Sequence, residues 1–357
     1  MTGLLPDFRQ PPFRDAPPAR FEPAPAAGVM PEDFFSTSNL PTYVLVDGTW
    51  KMPTRPRMDG VIVRRGAELE TVEPRRVRQG ELVAIGLAED GSQGIVVHPE
   101  GFLGGSASAN EFRFMSAEVS RERPANYEDL ARRVEEERRN GGYLVWVVGP
   151  ALVHSRARAD FEWFITNGYV QAVLIGNAVA VHDIEAAIFG TTLGMTSTGQ
   201  AAESGHGLHM RAINRIRAHG SIEAAVAAGT VGNGIMHALV TRGVPYVLAG
   251  SIRDDGPLPE VLTDTTAAQD AMREHTVRAT GAIFIATALH AIAVGNMLPA
   301  FHTHRGGPEP LMTICVDQTE FIVTKLKDRG THQAYGVVTN AQDFMHVFRH
   351  YVERCRQ

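Results

Sequence analysis

Almost continuous apolar runs alternate with segments of helical period after Pro124. Asn126 is the expected N-cap of the first helix, which Gly141 and Gly142 end. Strands that are apolar throughout are typical of a parallel sheet that is covered on both faces. The predicted fold class is therefore α/β, a doubly wound parallel sheet with helices on each side. Its six predicted strands span residues 143–149, 172–176, 245–250, 282–288, 312–317 and 334–339.

Short apolar runs separated by tight-turn signals occupy residues 40–115. The pairs Asp47-Gly48 and Asp90-Gly91 are two of these signals, and their spacing predicts a small all-β module. The first 28 residues contain seven prolines, so we expect an extended arm without a core of its own, lying on another surface or another subunit. The predicted domains are the arm at 1–28, a small β-rich domain at 29–120 and an α/β domain at 121–357.

The composition argues against several classes of protein. A net charge of −6 argues against nucleic acid or an anionic membrane as the main partner. The chain has no apolar run of about 18 residues, and its start lacks the apolar centre of a signal peptide. Its two cysteines, Cys315 and Cys355, provide no disulfide framework. We therefore expect a cytoplasmic protein that acts on a small molecule.

The predicted strands end in glycine or in small or polar residues. Because the carboxyl ends of parallel strands meet at one edge, where α/β proteins bind ligands, these residues are expected to share a site. Gly149 allows a phosphate to approach backbone amides, and Asp317 is suited to the hydroxyls of a ribose. Six such ends predict a dinucleotide as the ligand, although the G-x-G-x-x-G fingerprint of ordinary dehydrogenases is absent.

Residues 245–259, PYVLAGSIRDDGPLP, place a cation and two carboxylates directly after a strand. Pro257 and Pro259, which follow the carboxylates, oppose a helix. Arg253 is suited to the carboxylate of an amino acid, and Asp254 and Asp255 are suited to its ammonium groups. An acidic surface turn is the alternative interpretation of the same residues.

Histidines and carboxylates are also clustered between residues 182 and 209, but we expect no metal ion. His182 and Asp183 are adjacent, so their side chains would diverge on a helix. His206 and His209 are spaced to share a helical face, yet no third ligand accompanies them. Asp183 and Glu185 are expected to have structural roles, whereas His182 is a candidate acid or base, since histidine in general exchanges protons near neutrality.

Ordered motifs across residues 22–350 resemble one enzyme family. They include FFSTSNLPTYV, VVGPALVH, GNAVAVHDIEAAIFGTTLG, YVLAGSIRDDGPLPEV and LHAIAVGNMLPA. The chain is similar to the C-terminal portion of bifunctional arginine dihydrolase/ornithine cyclodeaminases, to archaeal ornithine cyclodeaminases, and to the LOR/SDH conserved domain. That resemblance implies an NAD-binding fold like that of deoxyhypusine synthase, NAD as cofactor, and a homo-oligomer, either a dimer or a tetramer.

The resemblance also implies which strand ends contact NAD, and the ends of the remaining strands extend that set. The candidate cofactor-binding residues are Gly149, Pro150, Ala151, Asn177, Ala178, Gly250, Ser251, Thr287, Ala288, Gly295, Asp317, Thr339 and Asn340.

The substrate site is assigned from the chemistry of ornithine cyclodeamination. Arg253 would bind the α-carboxylate, Asp254 or Asp255 the distal amine, and His182 would move a proton at the α-nitrogen. Asn177 and Asn296 would orient the substrate or the nicotinamide amide. Ser36, Thr37 and Asn39 would close the site from the β-rich domain, since ligand sites are common between domains.

Other functions remain open at this point. The substrate could be a homologous diamino acid such as lysine. The chain could instead be an NAD(H)-dependent amino-acid or imine oxidoreductase with net redox turnover, or a non-catalytic module that senses NAD or an amino acid.

Overall fold

The computed structural model describes residues 5–100, 102, 126–196, 198–202, 205–254, 256–304, 307–320, 322–324 and 334–356. The chain divides into two compact units. Unit 1 contains Met1–Met115, Gly295–Leu311 and Leu326–Gln333, and unit 2 contains Ser116–Val294, Met312–Lys325 and Ala334–Gln357.

The strands and helices are numbered in chain order. The strands are β1 (Arg20–Pro23), β2 (Thr42–Val46), β3 (Thr49–Lys51), β4 (Val61–Arg65), β5 (Glu68–Val72), β6 (Leu82–Ile85), β7 (Ile95–Val97), β8 (Leu144–Val148), β9 (Ala172–Gly176), β10 (Thr191–Thr192), β11 (Met195–Thr196), β12 (Tyr246–Ala249), β13 (Gly281–Ile285), β14 (Phe301–His304), β15 (Gly307–Pro310), β16 (Met312–Asp317) and β17 (Ala334–Val338). The helices are α1 (Tyr127–Arg139), α2 (Ala151–His154), α3 (Arg158–Thr166), α4 (Asn177–Phe189), α5 (Leu208–His219), α6 (Ile222–Ala227), α7 (Ile235–Arg242), α8 (Thr265–Thr276), α9 (Ala288–Met297) and α10 (Ala341–Cys355).

Unit 1 is built from antiparallel sheets, as the short apolar runs predict. Its four-stranded sheet has the order β1-β6-β4-β5, and its three-stranded sheet has the order β3-β2-β7. The proline-rich segment contributes to this unit, since β1 pairs with β6. Phe13 from the same segment is buried and packs edge-on against Tyr43 and Trp50.

Unit 1 also contains the segment after α9. The sequence predicts this segment to lie in the α/β domain, because that predicted domain runs without a break from residue 121 to residue 357. The strands β14 and β15 form a hairpin in this segment. Ala300 and Phe301 are buried in one apolar cluster with Phe35 and Phe102, and the Ala300 amide donates to the Asn39 carbonyl at 2.9 Å. The sequence shows that Ala300 and Phe301 are apolar, but it does not show which of the two cores they join. The hydrophobic pattern alone therefore could not assign this segment to unit 1.

Unit 2 is built on a six-stranded sheet in which every strand is parallel to its neighbours. All six predicted strands are present, with ends that differ by at most a few residues, and the predicted α/β class is confirmed. The strand order is β12-β9-β8-β13-β16-β17. Counted along the chain this is 3-2-1-4-5-6, the order of the dinucleotide-binding Rossmann fold. The order forms here without the glycine fingerprint, because that fingerprint specifies a phosphate turn and not the pairing of strands.

The core of unit 2 lies against this sheet. Every residue of β8 and of β13 is buried, which requires cover on both faces. Trp146 on β8 packs against Phe161 and Phe164 of α3, and Phe164 stacks on Phe348 of α10. The Asn126 side chain accepts a hydrogen bond from the Asp129 amide, so the predicted N-cap of α1 is confirmed.

Among the described residues, no helix has the length and apolar content needed to cross a bilayer.

Substitution of Met236 tests whether the buried side of α7 is part of the core of unit 2. Its side chain is fully buried, so Met236→Ala should lower the free energy of unfolding by about 2–5 kcal/mol, measured by urea denaturation. Met210→Ala is the matched control, because Met210 on α5 is 43% exposed and should cost less than about 0.5 kcal/mol. Equal losses in the two variants would contradict the packing described for α7.

Candidate functional site

The strand order reverses between β8 and β13, and the backbones approach closely where these two strands end. The Gly149 amide donates to the Ile285 carbonyl at 2.8 Å. A Cβ atom at Gly149 would lie 1.9 Å from the Ala286 carbonyl oxygen, so this position has no room for a side chain. Ala286 itself has a φ of +51°, a strained conformation for a non-glycine residue. In Rossmann folds the dinucleotide binds at this reversal point.

Most of the predicted cofactor-binding residues lie at the carboxyl edge of the sheet. Pro150 and Ala151 begin α2 after β8, and Ala178 is in the first turn of α4 after β9. Thr287 and Ala288 begin α9 after β13. The parallel direction of the strands therefore gathers these positions at one edge, as the sequence predicts. Their contact with NAD stays a prediction.

Asp317 and Asn340 close the last two strands in different ways. One carboxylate oxygen of Asp317, Oδ1, accepts hydrogen bonds from the amide and hydroxyl of Thr319, both at 3.0 Å. No hydrogen bond to Oδ2 comes from the part of the chain that the structure describes. Asn340 is the N-cap of α10 and accepts from the Asp343 amide at 2.9 Å. Thr339 before it is buried, and its amide donates to the Asp317 carbonyl.

The Asn177 side chain joins the end of β9 to the segment after β12. Asn177 is the first residue of α4 and is 7% exposed. Its Nδ2 donates to Asp254 Oδ1, and its Oδ1 accepts from the Leu258 amide, both at 3.2 Å. One carboxamide thus fixes two points of the 250–258 segment. The sequence predicts both residues for the site, and the structure brings them into contact.

Asp254 is held from a second side by its own turn. Its Oδ2 accepts from the Ser251 amide at 2.7 Å, and its amide donates to the Ser251 carbonyl at 3.0 Å. The Arg253 amide donates to Ser251 Oγ at 3.3 Å, and the Arg253 side chain is exposed. Gly250 before this turn donates to the Leu262 carbonyl at 2.9 Å. The Asp254 carboxylate and the Arg253 guanidinium therefore lie at the sheet edge, on a turn that hydrogen bonds hold together. Asp255, the second predicted carboxylate, lies outside the described residues.

His290 belongs to the same corner, and the sequence analysis gives it no role. It lies in the first turn of α9, and its ring approaches Gly176, where a Cβ atom would be 3.1 Å from the ring Cε1. Burial and the charge of Arg253 lower the pKa of His290 from its usual value, and the charge of Asp254 opposes this shift. A histidine shortly after a strand end was the available signal, but its neighbours become known only from the fold.

His182 lies in a different corner, among other polar groups. It is 8% exposed, its ring centre is 4.6 Å from that of His154, and its Nδ1 is 3.5 Å from Glu185 Oε2. No hydrogen bond or ring contact joins it to Arg253 or Asp254 among the described residues. Burial and the nearby His182 lower the pKa of His154, and the charge of Glu185 opposes this shift. The catalytic role of His182 stays a prediction.

Glu185 and Asp183 use their carboxylates to hold turns together. Glu185 is fully buried and accepts from Thr191 Oγ1 at 2.9 Å and from the Gly194 amide at 2.8 Å. Burial alone would raise its pKa, but the nearby His182 and the hydrogen bonds from Thr191 and from the Gly194 and Leu193 amides keep the pKa of Glu185 below its usual value. Asp183 accepts from the first two amides of α7 and from Arg158 Nε. These contacts fit the structural roles expected for both residues.

The predicted site residues of unit 1 differ in burial and in hydrogen bonding. Thr37 Oγ1 donates to the Arg57 carbonyl at 2.8 Å and accepts from the Gly60 amide at 2.9 Å. Asn39 is 1% exposed, and Ser36 is exposed. The carboxamide oxygen of Asn296 is buried without a hydrogen-bond partner among the described residues. The substrate-binding roles of Ser36, Thr37, Asn39 and Asn296, and the cofactor role of Gly295, stay predictions.

No group of three or more His, Cys, Asp or Glu side chains among the described residues has the arrangement of a metal site.

Two family models match most of the chain. The model described as arginine dihydrolase ArgZ-like, C-terminal, Rossmann fold, matches residues 128–348. The model for the first region of the same C-terminal part matches residues 41–128.

Relatives that match nearly the whole chain share the activity of ornithine cyclodeaminase in their names. The chain is 45% identical over 332 residues to an ornithine cyclodeaminase of Methanopyrus kandleri, a match that covers 91% of the chain and 76% of that relative. It is 36% identical over 348 residues to the bifunctional arginine dihydrolase/ornithine cyclodeaminase AgrE of Nostoc sp., covering 96% of the chain and 48% of AgrE.

Two solved structures share the fold along almost the entire chain. A conserved LOR/SDH protein of Methanococcus maripaludis S2 matches with a TM-score of 0.86 at 38% identity, covering 96% of this chain and 100% of that one. AgrE in a ternary complex with ornithine and NAD+ matches with a TM-score of 0.60 at 34% identity, covering 96% of this chain and 46% of that one. The expected likeness to deoxyhypusine synthase stays a prediction.

The Glu185 carboxylate should make stability depend on pH in one direction. Because its pKa is lower in the folded state than the usual 4.5, its contribution is present above that pH and is lost as the pH falls through the folded pKa. Glu185→Gln should therefore lower the free energy of unfolding by about 1–3 kcal/mol at pH 7, with the difference from wild type shrinking in acid.

Urea denaturation at pH 7 and pH 4 measures this difference. Glu223→Gln is the control, since Glu223 is exposed and should leave both values within about 0.5 kcal/mol. A difference for Glu185→Gln that grows in acid would contradict the assignment.

Proposed function

The chain belongs to the arginine dihydrolase ArgZ-like C-terminal family, and from that premise we propose that it is an NAD-dependent ornithine cyclodeaminase. In this reaction ornithine loses ammonia and closes to proline, and NAD is regenerated within each turnover. The observation that carries the proposal is the turn at 251–254, which offers a cation and an anchored carboxylate at the carboxyl edge of a parallel sheet. The related AgrE, which forms a ternary complex with ornithine and NAD+, supports the choice of ligands.

The substrate is a zwitterion with one carboxylate and two ammonium groups, and the turn carries matching charges. Arg253 binds the α-carboxylate through its guanidinium, which is suited to two parallel hydrogen bonds with a carboxylate. Asp254 binds the distal ammonium group. The hydrogen bond from Asn177 Nδ2 and that from the Ser251 amide keep the Asp254 carboxylate in place. Each carboxylate oxygen still has a lone pair for the substrate.

NAD fits the reversal point of the sheet by the chemistry of the residues there. When bound, it supplies the removal of a hydride from Cα and its return to the same carbon after ring closure. Asp317 would hold the ribose hydroxyls through the oxygen that Thr319 does not use. At the same point, the lack of a side chain at Gly149 lets the backbones that follow β8 and β13 pack closely together. The homo-oligomer expected from the sequence stays a prediction.

Removal of either charge in the 251–254 turn should lower catalytic efficiency with ornithine without weakening the binding of NAD. Asp254→Asn and Arg253→Gln should each lower kcat/KM for ornithine by about 10- to 150-fold, the loss expected for a hydrogen bond to a charged group worth about 1.5–3 kcal/mol. Release of ammonia and formation of proline are measured together at saturating NAD.

Asp264→Asn is the matched control for this experiment. Asp264 caps α8 through the Ala267 amide, and asparagine caps a helix equally well, so activity should be unchanged. Full activity in both Asp254→Asn and Arg253→Gln would refute the assignment of the turn.

Asp317 should affect the cofactor and not the substrate. Asp317→Asn is expected to weaken NAD binding about tenfold in a calorimetric titration, because an amide replaces a charged acceptor. The KM for ornithine at saturating NAD should stay within twofold of wild type. An unchanged NAD affinity, or a defect confined to ornithine, would exclude Asp317 from the ribose site.

A further inference from the structure

His290 is an imidazole at the proposed substrate site whose hydrogen-bonding groups are available. It lies in the first turn of α9, where the helix leaves the sheet edge after β13. Its side chain is partly buried, and neither ring nitrogen is hydrogen-bonded to a residue in the described ranges. An imidazole in such a place can accept a proton from a ligand or donate one to it.

Gly176 makes room for this ring. The φ of Gly176 is −89°, which any residue adopts, so the backbone does not require glycine there. A Cβ atom would instead lie 3.1 Å from His290 Cε1, which is closer than carbon atoms normally approach, so the ring would have to shift by a few tenths of an ångström. The side chain that is missing at the end of β9 is therefore what lets the ring occupy this corner.

The charged groups that act on His290 both lie in the turn after β12. Arg253 disfavours the protonated ring, and Asp254 favours it. Burial adds to the effect of Arg253, so the ring is mainly neutral near pH 7. The geometry agrees with this, because the ring lies beside Gly176, and Asn177, the next residue, donates a hydrogen bond to Asp254 at 3.2 Å.

On the basis of the proposed function, we propose that His290 is the general base that takes a proton from an ammonium group of the amino acid bound by Arg253 and Asp254. The N–H bond of the ammonium group breaks, its electron pair stays on the nitrogen, and the proton moves to a ring nitrogen of His290. The neutral imidazole becomes an imidazolium, and the amine gains the lone pair that nucleophilic attack requires. The imidazolium returns the proton to the departing ammonia, so the ring ends the cycle neutral.

His290→Gln tests this role directly. The substitution keeps a polar side chain but removes the base, so kcat for ornithine should fall at least about 100-fold while KM and NAD affinity stay within about threefold. The acid limb of the wild-type profile of kcat against pH should also disappear. His346→Gln is the control, because the His346 side chain on α10 is 79% exposed, and it should keep both kcat and the acid limb.

Gly176→Ala tests the geometry separately from the chemistry. The added methyl group should displace the ring and lower kcat about tenfold, with the wild-type unfolding midpoint retained. Gly232→Ala is the matched control, since a Cβ atom there would meet nothing within 4 Å, and its kcat should be unchanged.

The outcomes separate the two proposals. Wild-type protein that converts no ornithine to proline and ammonia would overturn the proposed function, and the role of His290 with it. An active wild type together with a His290→Gln variant that keeps its kcat and its acid limb would overturn only the role of His290.

Discussion

The common direction of the six strands is the constraint on which the site depends. Because each strand of the sheet is parallel to its neighbours, the residues that follow β8, β9, β12 and β13 all reach one edge. Buried apolar side chains on both faces hold this arrangement, and helices that begin at the same edge carry the polar groups. The backbones of Gly149 and Ala286 approach closely at that edge, where the strand order reverses.

Asn177 turns this shared edge into a defined cluster. Asn177 is almost fully buried. Its Nδ2 donates a hydrogen bond to Asp254, and its Oδ1 accepts one from the Leu258 amide. Loss of these two hydrogen bonds would leave a buried carboxamide unsatisfied and would lower the stability of the fold, so they hold the 250–258 segment against α4. The Asp254 carboxylate is thereby fixed at this edge, and the Arg253 side chain next to it is exposed.

The sequence reveals the sheet better than it reveals the site. Continuous apolar strands predict the parallel sheet, and the residues that follow the strands predict that Asn177 and Asp254 share one of its edges. The hydrogen bond between these two side chains becomes known only from the structure. The pattern could not distinguish His182 from His290, since only the tertiary fold places one beside His154 and the other near Arg253. For the same reason it assigned the segment after α9 to the α/β domain, although Phe301 packs in the core of unit 1.

The return of the hydride to the carbon that lost it is the central claim, and deuterium at Cα of ornithine traces it most directly. The product of a reaction with unlabelled NAD is examined by mass spectrometry and NMR. Internal recycling predicts proline that keeps the deuterium at C2, with ammonia released in equal amount and no accumulation of NADH. Deuterium that collects in reduced cofactor, or proline without deuterium at C2, would contradict the account.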